Sequence, residues 1–281
     1  MDERDAGAGW FAGLDPNDEG AAIERVRSGE ALAPAPWPTL AVEAGFAADT
    51  DEYYERLHDA TLAAARAGAA EREGSDDRQL VHAVRAMDDC HRQANELAER
   101  VAEWAGSRDA DAGTGIEYAR ELAARDPDGP VETEVVGLAA DAVAVDERAG
   151  RLQAFIERTA PEVAPNLSDL AGPVLAARLV SLAGGLESLA KKPSGTVQVL
   201  GAEDALFAHL QGDAPSPKHG VIYTHEYVRN TARSERGSAA RALAGKLSIA
   251  ARIDHYSGDR RPDLAAELDE RIERIRARDA E

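Results

Sequence analysis

Residues 76–106 read DDRQLVHAVRAMDDCHRQANELAERVAEWAG, and within them Leu80, Val84, Met87, His91, Ala94, Ala98, Val101 and Ala105 recur in alternating steps of four and three. That spacing holds an apolar stripe on one side of a helix, so it predicts a long helix with a heptad seam. Leu97 and Trp104 widen the stripe, and Ser75, Asp76 and Asp77 are capping candidates at its start. Residues 106–115 break the pattern, a short helical piece covers 116–125, and Asp126-Pro-Asp-Gly-Pro130 makes a turn. The seam resumes at Val135, Leu138, Ala142, Val145, Ala149, Leu152 and Ile156. Two matching repeats predict an antiparallel pair, near ~40 Å long at ~1.5 Å per residue. Either the pair packs inside a globular bundle, or it protrudes and joins a second copy. On the second reading Leu80, Val84, Met87, Val101, Val135, Leu138, Val145, Leu152 and Ile156 are the self-association candidates of a homodimer. His91 reads as a polar group of the seam and Cys90 as an inert thiol.

Working outward, Pro161 and Pro165 open a region that stays helical to about residue 257 and is dense in small residues, so its helices can approach closely. Residues 262–281 carry Leu264, Leu268, Ile272 and Ile275 at helical spacing, which predicts a solvated amphipathic end helix. The first 70 residues are looser. They hold a Trp10-Phe11 pair, helical patterns over 21–27 and 50–67, the run Pro34-Ala-Pro-Trp37-Pro38, and a charged boundary at 71–77. The expectation is a mainly α protein. It comprises a small N-terminal domain over 1–70, with an α/β arrangement open for it, an antiparallel coiled coil over 76–160, an all-helical domain over 161–257, and a charged helix or tail over 258–281.

With 281 residues, 44% apolar and 30% charged, the chain is too apolar to be disordered throughout. A formal charge of −20 argues against anionic partners and matches proteins kept soluble in concentrated salt, a halophilic signature. A single cysteine forms no internal disulfide. Residues 1–5 are acidic where a secretion signal is basic, and the longest apolar stretch, 170–186, is interrupted by Arg178. A soluble, cytoplasmic protein away from membranes is expected.

The net charge conceals its distribution. Residues 191–261 carry eleven Lys and Arg against seven Asp and Glu, and all four lysines of the chain, Lys191, Lys192, Lys218 and Lys246, fall there. Compact cations for phosphate oxygens are the obvious use. Arg241 and Arg252, eleven residues apart, project on one side of an Ala- and Gly-rich helix. They either grip a nucleic-acid backbone or pair with Glu235 and Asp254. Nothing favours catalysis: there is no Gly-x-Gly-x-x-Gly, phosphate loop, Cys-x-x-Cys or His-Glu-x-x-His. His219 and His225 have no nearby cysteine, so no metal is expected.

Three blocks then resemble the signature of the Nop domain: residues 182–210, LAGGLESLAKKPSGTVQVLGAEDALFAHL; Ser216-Pro-Lys-His-Gly220; and residues 236–246, RGSAARALAGK. Residues 95–104 are more weakly similar to that family's first coiled-coil helix. The resemblance implies an archaeal Nop scaffold of box C/D guide-RNA particles, with no catalytic residues of its own. Its N-terminal domain would dock fibrillarin, its coiled coil would self-associate, and its Nop domain would bind guide RNA together with a kink-turn-binding ribosomal-type protein. Fibrillarin would methylate ribose 2′-hydroxyls with S-adenosylmethionine, so no cofactor is expected on this chain. An adaptor that binds RNA without recruiting fibrillarin is the alternative. The resemblance puts Lys192, Thr196, Gln198, Gly201, Ala202, Glu203, His209, Lys218, His219, Gly220, Arg236, Arg241, Lys246 and Arg252 on the RNA or partner face. Gly201 to Glu203 would open a helix start to partner and RNA together. His209, Lys218 and His219 would contact phosphates or stack on a base pair, and Thr196 and Gln198 would donate to sugar or phosphate. Val199, Leu206 and Phe207 read as core. Asp204 and Gln211 stand where the family has lysines, which shifts RNA affinity toward shape and the partner protein.

Overall fold

Aromatic side chains organise the first of two units, residues 1–75 and 76–281, into which the chain divides. The structure is a computed structural model that describes residues 9–29 and 33–278. The acidic start at 1–5 and the last three residues of the tail lie outside the described residues. In the first unit α1 (Glu19–Ser28) is capped by Asp18, whose carboxylate accepts from the Ala21 N–H, and α2 (Trp37–Glu43) follows the Pro-rich run. The long α3 (Thr50–Glu73) starts at Asp49, which accepts from the Glu52 N–H. Phe11, Ala41, Phe46, Ala47 and Tyr53 are buried together, with Trp10, Trp37 and Leu57 against them. No strand occurs among the described residues of this unit, so the α/β option falls. Its alternation of aromatics with Gly and Pro marks turns between short helices, not strands.

The second unit opens on the two seams. They form α4 (Asp76–Gly106), followed by α5 (Gly115–Ala123) and then α6 (Pro130–Val163), of 31, nine and 34 residues. Along the seam Leu80, Val84, Met87, Val101, Val135 and Ile156 are buried, and Leu138, Val145 and Leu152 are half-buried. Six of the nine self-association candidates are thus covered within a single chain, and three keep part of their surface. The seam is closed within one chain, at one end by Tyr118, Ala119 and Leu122 of α5. At the other end it is closed by Ala177, in the helices beyond the hairpin.

Beyond Val163 the chain folds as short helices: α7 (Pro165–Ala171), α8 (Pro173–Ala183), α9 (Leu186–Lys191), α10 (Ser194–Val199) and α11 (Glu203–Leu210). A 3-10 turn (Val221–Thr224) and α12 (Glu226–Arg229) lead to α13 (Arg236–Tyr256) and α14 (Asp263–Ala277). The Ala-rich α13 is the axis. Ala239, Ala240, Leu243, Ala244, Leu247 and Ala250 are all buried, and small side chains let α7, α9 and α10 approach it closely. Leu264, Leu268, Ile272 and Ile275 of α14 are buried in the same core. The expectation of a solvated tail is therefore wrong. The apolar stripe was read correctly, but four residues at that spacing bury a whole helix face, and Arg276 and Asp269 fasten it by bonding Thr231 and Tyr227.

Candidate nucleic-acid interface

The site is built on a close backbone approach. The Gly220 N–H donates to the Gln198 carbonyl at 2.9 Å and the Val221 N–H to the Leu200 carbonyl at 2.7 Å, so the loop is pinned along the end of α10. A Cβ at Gly220 would sit 1.9 Å from the Leu200 carbonyl oxygen. Gly201, at φ +80, makes the turn into α11 beneath Val221. The Gln198 amide also donates to the Lys218 carbonyl at 2.7 Å. Gln198 therefore positions the lysine instead of reaching out to a sugar, and Gly220 is an architectural residue instead of a contact.

What the pinned loop presents is an aromatic and cationic cluster. His219 stacks on Tyr223, with ring centroids 4.6 Å apart and planes 25° apart, and the Arg236 guanidinium lies 5.5 Å from the Tyr223 ring centre. Arg236 is anchored by donating to the carbonyls of Thr231 and Arg229, which hold its plane without cancelling its charge. Lys218 is exposed, and its stem passes about 3.7 Å from where a Gly237 Cβ would be. Arg241 follows Gly237 by one turn on the same side of α13, so Lys218 and Arg241 lie along one edge. Flat groups that stack and cations that meet phosphate are the two things RNA recognition asks for.

Other expected residues are placed elsewhere. Arg252 turns to the end of α9 and donates to the carbonyls of Ala190 and Lys192, so it caps that helix and pairs with neither Glu235 nor Asp254. Lys246 forms an ion pair with Glu267 of α14. The His209 ring bonds the Ala214 carbonyl at 2.9 Å, closing the loop after α11. Thr196 is exposed on α10. Ala202 is the N-cap of α11 and supplies no side-chain bond. Glu203 reaches back to the Gly201 N–H at 2.9 Å, and with Asp204 it makes the start of α11 unwelcoming to an anion. Phe207 was expected in the core but is 62% exposed, beside Leu210 at 75%. α11 has no buried residue, so it offers an apolar side instead of a charged end. Tyr223 was missed because a tyrosine three residues past Gly220 carries no signal until the 3-10 turn brings it under His219.

Burial lowers His219 below the ordinary histidine value, and the charges of Arg236 and Lys218 lower it further. The charged form of the ring is thereby disfavoured. His225 is lowered too, chiefly by burial. Its Nε2 bonds the Leu170 carbonyl and its Nδ1 accepts from the Tyr227 N–H, which fixes the neutral tautomer. Below the ordinary value of 6.5 the unfolded chain takes up protons that the native chain refuses, so this contribution is complete above that pH and lost as pH falls. A urea midpoint lower at pH 5 than at pH 7.5 is expected, with His225→Gln losing less of it over that interval. Equal losses in both proteins would contradict the assignment.

Residues 116–276 match the Nop family, described as "snoRNA binding domain, fibrillarin". An uncharacterized NOP5 family protein of Methanocaldococcus jannaschii is 49% identical over 130 residues, 46% of this chain and 31% of that protein. Nucleolar protein 56 of Saccharomyces cerevisiae is 48% identical over 95 residues, 34% of this chain and 19% of its own. Nucleolar protein 58 of Botryotinia fuckeliana is 31% identical over 219 residues, 64% of this chain and 38% of its own. The chain thus spans a fifth to two fifths of the length of these curated relatives. Among solved structures, a chain of a fibrillarin/Nop5p complex is similar with TM-score 0.52 and 25% identity, covering 96% of this chain and 99% of that one. No helix among the described residues is long and apolar enough to cross a membrane.

Proposed function

Because the chain belongs to the Nop family, by a match running from α5 through α14, we propose that it is a non-catalytic scaffold of a box C/D guide-RNA particle that directs 2′-O-methylation. The observation that carries this reading is the pinned loop, which sets Lys218, His219, Tyr223 and Arg236 on one surface. A cationic, stacking surface fits an RNA kink. The Phe207 and Leu210 side chains fit the protein that holds the kink, because two exposed apolar groups on a helix with no buried residue have no folding role. Fibrillarin would dock on the N-terminal unit and bring S-adenosylmethionine with it. The likeness to a chain from a fibrillarin complex, spanning 96% of this chain, supports that partner. A homodimer would use the outer side of the hairpin.

The purified chain is expected to bind a kink-turn RNA only when the kink-turn protein is already present, measured by mobility shift with each component omitted. Equal binding to bare duplex sinks the reading. Replacing Lys218 and His219 together with Ala removes one charge-assisted contact and one stacking contact, about 1–3 kcal/mol each. A ternary complex weakened by roughly thirtyfold or more follows, with circular dichroism unchanged. A lost helical signal would assign the pair to folding instead. Co-purification with fibrillarin separates the scaffold from an adaptor that binds RNA alone.

A further inference from the structure

A second concentration of positive charge lies away from the loop. Between α13 and α14 runs a groove of about 640 Å³, floored by Ala242 and Gly245, whose small size keeps it open. The two helices are antiparallel, and the groove changes character along its length. At one end Lys246 and Glu267 neutralise each other. Toward the other end the lining is Arg241 of α13 with Arg271 and Arg274 of α14 and Arg278 just past its end, with Glu270 the carboxylate that remains. Among the described residues Arg274 donates only to the Glu270 carbonyl, a neutral partner. Arg241, Arg271 and Arg278 make no ion pair among the described residues.

Folding does not account for this arrangement. A chain with a formal charge of −20 has acids to spare, yet four arginines line this stretch of the groove beside one carboxylate. These arginines are exposed, so their mutual repulsion is weak, and an anion lying along the groove would meet several of them at once. The groove also continues a track, since Lys218 passes over Gly237 one turn before Arg241. We propose that the α13–α14 groove grips the phosphodiester backbone of an RNA stem beyond the kink, through Arg241, Arg271, Arg274 and Arg278. This rests on the RNA-scaffold reading and extends it, from a composite surface at the kink to a sequence-independent hold on the adjoining stem. Planar guanidinium groups are suited to that task because they meet phosphate oxygens two at a time.

The test uses the full chain with the kink-turn protein and two RNAs, a minimal kink-turn and the same RNA with its stem extended by a helical turn. Arg271→Gln, Arg274→Gln and Arg278→Gln are combined in one variant. On the extended RNA the slope of log affinity against log salt is expected to fall by about two to three, at ~0.9 per phosphate contact, with affinity at least tenfold weaker. Binding of the minimal RNA stays as in the unaltered chain. The corresponding lysine triple, which keeps the charge, retains most of the slope. If the glutamine triple matches the unaltered chain on both RNAs, the groove is not a phosphate site, while the scaffold reading stands. Equal weakening on both RNAs overturns the stem assignment, and a lysine triple that loses as much as the glutamine triple makes the effect structural. Failure of the unaltered chain on either RNA removes the scaffold reading and this extension together.

Discussion

Gly220→Ala is expected to cost about 3–5 kcal/mol, because three penalties fall on one backbone position. The new methyl carbon would stand 1.9 Å from the Leu200 carbonyl oxygen, a contact with main chain that no rotamer change relieves. Opening the gap breaks the bonds from Gly220 N–H to Gln198 and from Val221 N–H to Leu200, at about 1 kcal/mol each. Moving the loop off α10 also releases the Gln198 bond to Lys218 and uncovers Ile222, which is fully buried. The variant should therefore unfold earlier in urea and lose the ternary RNA complex, even though Gly220 has no side chain to offer a ligand. Gly237→Ala is the control. A Cβ there meets only the flexible Lys218 stem at 3.7 Å or more, so stability should hold. If Gly220→Ala melts with the unaltered chain, the loop is not pinned as described.

Elements whose information is local were legible in the sequence, and side chains whose partners are distant were not. The seam residues of α4 and α6 are periodic, so both helices and their antiparallel pairing were readable. Their partner was not, because periodicity says which side of a helix is apolar and nothing about whether the same chain or another covers it. The same gap misplaced α14. Leu264, Leu268, Ile272 and Ile275 announced an apolar stripe, but that α13 lay beneath it depends on a contact no spacing encodes. Within the site, Lys218, His219 and Arg236 were identified and do meet. Arg252 and His209 were given to the ligand because a charged or aromatic group near a signature looks outward on paper. In the fold a free helix-end carbonyl claims one and a loop carbonyl the other. Phe207 failed in the opposite direction: a large apolar residue is core by default, and an eight-residue helix that buries nothing is the exception a partner explains.

Asp254 carries the second large effect. Its carboxylate reaches from α13 to the start of α7 and accepts from the N–H groups of Asn166 and Leu167 at 3.0 and 2.9 Å and from the Asn166 side chain at 2.6 Å. Ala164, the residue at the cap position itself, cannot satisfy these donors. Asn166 is 2% exposed, so the donors have no water to turn to. Its amide passes the link onward, donating to the Asp259 carbonyl and accepting from the Arg261 N–H at 2.8 and 2.6 Å. That second step fixes the bend from α13 into α14. Asp254→Ala leaves three buried donors unmet and removes a negative charge from a helix N-terminus, about 3–5 kcal/mol in all. For a unit of this size the melting temperature should fall by roughly 6–20 °C. Asp254→Asn keeps one acceptor but turns an N–H₂ toward the Leu167 N–H, so its melting temperature should fall between the other two. Because the network sets where α14 lies, amide exchange in α14 should quicken in Asp254→Ala while α4 and α6 stay protected. A uniform rise across the second unit would mean that Asp254 supports global stability without governing the α13–α14 bend.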